Sequence, residues 1–67
     1  MEQVFKIGAV SAASKGRRIL SDHGIRGRLT KTDDAGEGCA WGLAVLGKDA
    51  EEVTRLLRAA GIRYELL

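Results

Sequence analysis

The chain has 67 residues, 45% of them hydrophobic and 30% charged, with a formal net charge of +2 and a single cysteine. That length holds one hydrophobic core and excludes a multidomain enzyme, and the composition is neither that of a disordered chain nor that of a membrane bundle. One cysteine excludes an internal disulfide, and with no secretory signal and no apolar run of roughly 18 residues the sequence predicts a cytoplasmic chain without a membrane segment.

The first predicted element is a strand over Val4 to Val10, rich in β-branched and aromatic residues, ending at Ser11, whose hydroxyl is expected to cap a helix. From there Ala12, Gly16, Ile19, Leu20 and His23 fall at helical spacing, and Gly24 supplies the left-handed turn that ends a helix. Ile25 to Thr32 sets Ile25 and Leu29 against Arg26, Arg28 and Thr30 with a period of two, a half-buried second strand. A polar, Gly-rich turn follows from Asp33 to Gly38. A third strand then runs from Cys39 through Trp41 to Leu46. Asp49 with Glu52 has the spacing of a capping box, and Ala50, Val53, Leu56, Leu57 and Ala60 define one face of a second helix that stops at Gly61. Ile62, Tyr64 and Leu66 alternate with Arg63 and Glu65 in a closing edge strand.

Part of this pattern recurs. Arg18-Ile19-Leu20, then Gly24-Ile25-Arg26 and Leu29, reappear as Arg55-Leu56-Leu57, then Gly61-Ile62-Arg63 and Leu66, 37 positions later. Two strand-helix-strand halves, about 4–32 and 39–67, predict a single domain over residues 1–67 with the order βαββαβ. Right-handed crossovers turn that order into an α+β ferredoxin-like fold, a four-stranded antiparallel sheet with two helices on one face. The charge divides along the same line. Residues 1–31 carry seven Lys or Arg against Glu2 and Asp22, whereas residues 32–67 carry four against seven carboxylates. The halves can therefore attract one another, within a chain or between chains.

This topology puts the Asp33–Gly38 turn, and Cys39 after it, at the end of the sheet where the first helix starts, near Ser11 to Ser14. A helix N-terminus carries roughly half a positive charge. A thiol near it, or near Lys15 and Arg17, is expected to ionise more readily. The Gly36-Glu37-Gly38 run can also turn backbone N–H groups toward a sulfur anion. The competing expectation is that Cys39 is a small hydrophobic residue packed beside Trp41 or Val10.

The arrangement of a first strand, a basic helix ending at Gly24-Ile25, a loop, and then Gly38-Cys39-Ala40-Trp41-Gly42-Leu43 resembles the selenium/sulfur carrier-like family of small bacterial proteins. The likeness extends over nearly the whole chain. In the family members it most resembles, glycine follows the cysteine closely, whereas here Ala40 and Trp41 stand before Gly42. The resemblance implies that Cys39 is a carrier thiol that receives sulfur or selenium from a transferring partner protein. Ser11, Lys15, Arg17, Gly38 and Trp41 would surround it, and no cofactor would be involved. With no second cysteine to resolve the adduct, a partner must load and unload it, which makes the protein a carrier rather than a catalyst.

Three other classes compete with this reading. Lys6, Arg26, Arg28 and Arg63, expected on the open sheet face, offer phosphate contacts. The outward positions Gly8, Gly42 and Ala44 lack the aromatic residues on which sheet-surface RNA readers stack bases, so nucleic acid is disfavoured as a partner. The same small residues make a flat face on which a second copy could pack as a homodimer, a non-enzymatic interaction module. For a metal, Cys39 and His23 give at most two ligands, predicted at opposite ends of the first helix, and His23 is better placed to bond the last helix carbonyls. Asp33, Asp34 and Glu37 read as a solvated turn.

Overall fold

The computed structural model describes residues 1–34 and 38–67, with 33, 34, 38 and 39 described by their backbone alone. The chain forms β1 (Glu2–Gly8), α1 (Val10–Asp22), β2 (Arg28–Asp34), β3 (Gly38–Leu46), a single 3-10 turn over Gly47–Asp49, α2 (Ala50–Ala59) and β4 (Glu65–Leu66). The strands lie in the order β2-β3-β1-β4, and every neighbouring pair is antiparallel. This is the ferredoxin-like βαββαβ arrangement, an open four-stranded sheet with two helices packed against it.

Strand alternation explains the layering. Phe5 on β1 stands opposite Leu43 on β3, and both are completely buried with Val45 beneath the helices. α1 contributes Ala13, Gly16 and Leu20 to that interior, and α2 contributes Val53 and Leu57. Each large side chain fully buried here adds roughly 1.5 to 3 kcal/mol of apolar stabilisation, so this small cluster dominates the stability of the chain. Gly16 lies where α1 comes close to the sheet and to α2, and a Cβ there would be 3.1 Å from Leu43 Cδ1 and 3.3 Å from Leu57 Cδ2, so both leucine side chains would have to shift slightly.

Both helices end in the same device. After α1, Gly24 has φ +74° and its N–H donates to the Ser21 carbonyl, while the Ile25 N–H donates to the Leu20 carbonyl at 2.8 Å. After α2, Gly61 has φ +72°, its N–H donates to the Arg58 carbonyl, and the Ile62 N–H donates to the Leu57 carbonyl at 3.0 Å. Each is a Schellman termination, in which a glycine takes the left-handed conformation and the following apolar residue folds back onto the last buried leucine. Ile25 and Ile62 are both buried.

The element boundaries differ from the sequence expectation at the start of α1, at the cap of α2, at both ends of β2, which runs on through Asp33 and Asp34 of the expected turn, and in β4. Val10 opens α1 instead of closing β1, so the buried face begins at Ala13, not Ala12. The N-cap position is Ala9, with no side-chain cap bond, and Ser11 is an exposed first-turn residue rather than a cap. Asp49 likewise makes no side-chain cap bond, and Glu52 pairs with Arg55 instead of reaching back. The second strand starts at Arg28 because Ile25 is taken up by the helix termination, and the closing strand is confined to Glu65–Leu66.

Candidate functional site at the hairpin end of the sheet

The ladder registers define this end. β1 finishes at Gly8 opposite Trp41, and α1 begins two residues later. β2 and β3 continue past that point through Thr32–Ala40, Asp33–Cys39 and Asp34–Gly38. At about 3.3 Å per strand residue, the Cys39 backbone lies roughly 7 Å beyond the last β1 pair, where β3 has β2 on one side and no β1 partner on the other. The sequence expectation that the hairpin and the start of α1 share one end therefore holds for the backbone. The Cys39 side chain, those of Asp33 and Asp34, and residues Gly36 and Glu37 of the expected anion-binding run lie outside the described residues.

Among the residues expected around the thiol, Ser11 is exposed in the first turn of α1, at the shared end. Lys15 and Arg17 are exposed as well, but they are the sixth and eighth residues of a helix that runs away from that end. At 1.5 Å per residue this sets them about 8 and 11 Å along its axis from Val10. Trp41 is half-buried on the strand that carries Cys39. It faces Lys31 across the β2–β3 ladder, with Lys31 Nζ 5.6 Å from the ring centroid, a cation–π contact. Trp41 thus packs against a cation.

The second half of the chain also contributes to this end, which sequence reasoning missed. Glu65 stands opposite Lys6 in an antiparallel pair, so the residues preceding it run toward the Gly8 end of β1. Arg58 in the last turn of α2, Gly61, Ile62, Arg63 and Tyr64 line one surface depression there, and the Tyr64 ring meets Phe5 edge-on at 5.4 Å. The signal was available in the βαββαβ order itself, which returns α2 to the hairpin end.

His23 lies at the far end of α1. Its Nδ1 is 2.9 Å from the Ile19 carbonyl, a bond that requires the proton on Nδ1, and its side chain is exposed. This is the interaction with the last helix carbonyls that its position suggested. Among the described residues no group of three or more His, Cys, Asp or Glu is arranged to hold a metal ion, and no helix is long and apolar enough to cross a membrane.

On the open sheet face, two of the four basic residues expected there are engaged by carboxylates. Arg28 donates to Glu2 at 3.0 Å, and Lys6 lies 3.9 Å from Glu65. The Arg28–Glu2 bond spans from β2 to β1 across β3. Ala44, directly opposite Arg28, is short enough for a long side chain to pass over it and is only 2% exposed. Arg26 precedes β2 and Arg63 precedes β4, so neither belongs to the sheet ladder. Comparison with known family models, with curated proteins and with solved structures yields no match.

Proposed function

We propose that this protein is a cytoplasmic single-thiol carrier that accepts a sulfur or selenium atom on Cys39 from a partner protein and passes it on. The observation that carries this reading is the strand register. The Cys39 backbone belongs to the part of the β2–β3 hairpin that extends past β1, at the end of the sheet where α1 begins. A carrier thiol must enter a partner's active site, and a hairpin extending past β1 suits that requirement. The start of α1 supplies partial positive charge, and Lys15 and Arg17 supply full charges further along the helix, which favour a sulfur anion electrostatically. Ser11, Gly38 and Trp41 complete the surroundings assigned to the thiol. Arg58 and Arg63 add positive charge at the same end.

In sulfur transfer, the Cys39 thiolate attacks the outer sulfur of a persulfide held on the partner's cysteine. A new S–S bond forms on Cys39, the partner's S–S bond breaks, and the partner leaves as a thiolate. The sulfur changes carrier without net oxidation, so no cofactor is consumed. Delivery is the same step with the roles reversed. The test is to incubate the protein with a persulfidated donor protein and follow its intact mass. A carrier gains the mass of one sulfur atom, loses it to a thiol reductant, and fails to gain it as Cys39→Ser. No gain in the wild type under conditions where a small-molecule thiol is loaded would refute the proposal.

A second reading rests on the small residues Gly42 and Ala44 at the centre of the open sheet face, which the Arg28–Glu2 pair spans above Ala44. On this reading the protein is a non-enzymatic interaction module that pairs with a second copy. Sedimentation at several concentrations measures that pairing, and Cys39→Ser should leave it intact.

A further inference from the structure

The core face of α1 is formed by Ala13, Gly16 and Leu20, and Gly16 looks toward Leu57 of α2. At about 100° per residue, Ser14, Arg17, Arg18 and Ser21 form a separate row, spaced i, i+3, i+4 and i+7, on the flank of α1 turned away from α2. All four are exposed, and together with Asp22 they line one surface depression. Arg26 continues the row beyond the helix, in a depression that shares Ser21. Lys15 is exposed on the same helix.

Three basic residues away from this flank have a carboxylate beside them, with Lys6 near Glu65, Arg28 bonded to Glu2, and Arg55 paired with Glu52. The outer surface of α2 mixes both signs, with Lys48, Glu51, Glu52, Arg55 and Arg58 around one depression. On the α1 face, by contrast, Arg17, Arg18 and Arg26 have no carboxylate at ion-pairing distance among the described residues. Three guanidinium groups along one flank, with Asp22 as the one carboxylate lining the depression, carry an electrostatic cost within the monomer and are expected where an oppositely charged surface docks.

We infer that this flank of α1, along Ser14, Arg17, Arg18, Ser21 and Arg26, docks a carboxylate-rich protein surface. Guanidinium forks take carboxylates in bidentate geometry, and the two serine hydroxyls add donors between them. Nucleic acid fits less well. Among the residues lining the two depressions there is no aromatic side chain for a base to stack on. The inference stands independently of the carrier reading, since it concerns which partner binds and not what is transferred.

The test uses the full chain and two fluorescent probes of equal charge, a polyglutamate peptide and a single-stranded oligonucleotide, titrated at several salt concentrations. Arg17→Glu with Arg18→Glu is compared with Lys48→Glu plus Arg58→Glu on α2, which changes the net charge by the same amount. Circular dichroism checks that both variants keep the fold, and Arg17→Gln with Arg18→Gln replaces the first if they do not. We expect polyglutamate to bind at least as tightly as the oligonucleotide. The α1 variant should weaken that binding roughly tenfold or more, and the α2 variant by much less. Equal losses in the two variants would mean that only net charge matters, and tighter oligonucleotide binding would assign the face to nucleic acid. Either result overturns the inference.

Discussion

Gly42→Ala concentrates the structural argument in one methyl group. Gly42 lies opposite Lys6 in the β1–β3 ladder, beside the irregularity between Lys6 and Gly8, and a Cβ built on it would come within 2.6 Å of the Phe5 carbonyl oxygen. Two effects oppose each other. Replacing glycine by alanine within a regular element ordinarily favours folding by about 0.5 to 1 kcal/mol, because the unfolded chain loses freedom. Forcing an extra carbon against backbone that cannot rotate away costs about 1 to 3 kcal/mol, and here the obstructing atom belongs to the strand carrying the core residue Phe5. The clash should win, leaving a net loss of about 1 to 2 kcal/mol. Against a total stability of roughly 3 to 10 kcal/mol for a chain of this size, that is a substantial fraction. It should lower Tm by about 5 to 15 °C and move the urea midpoint without changing its slope. A variant as stable as the wild type, or more stable, would show that β1 and β3 are not this close at Gly42.

Gly24→Ala and Gly61→Ala should each cost about 1 to 2 kcal/mol, and by nearly the same amount, because both residues have φ above +70° with no atom near the added Cβ; urea unfolding measures the pair. Leu20→Ala and Leu57→Ala should each lose about 2 to 5 kcal/mol in the same assay. Leu46→Ala, at a side chain 49% exposed, should lose less than about 0.5. Lys31→Gln removes the cation from the only tryptophan of the chain, so Trp41 emission should shift and stability should fall by about 0.5 to 1 kcal/mol; unchanged fluorescence would contradict the contact.

The parts of the fold that were legible in the sequence are those set by local chemistry. Gly24-Ile25 and Gly61-Ile62 announce their helix ends because a left-handed glycine followed by an apolar residue has few other uses. The α2 stripe of Val53 and Leu57 is legible because helical periodicity and burial agree there. Errors arose where one residue satisfies two patterns. Val10 is β-branched and continues the apolar run of β1, yet the chain turns before it. Ile25 keeps strand alternation with Leu29, although its N–H is already held by the Leu20 carbonyl. Ser11 and Asp49 have the chemistry of caps, but the helices begin without side-chain caps. At the candidate site, chain order was enough to bring the hairpin and the start of α1 to one end. The Lys31–Trp41 contact needed the exact register, and the gathering of Arg58, Arg63 and Tyr64 needed the path of α2 to be followed back to that end.

The most direct test of the carrier proposal is the rate of Cys39 alkylation as a function of pH, measured on the reduced chain. The account predicts an apparent pKa well below the free-thiol value of about 8.5, with a fast rate persisting at neutral pH and weakening when Lys15 and Arg17 are both changed to Gln. A normal or raised pKa, with slow alkylation at neutral pH, would contradict it and leave the interaction-module reading in its place.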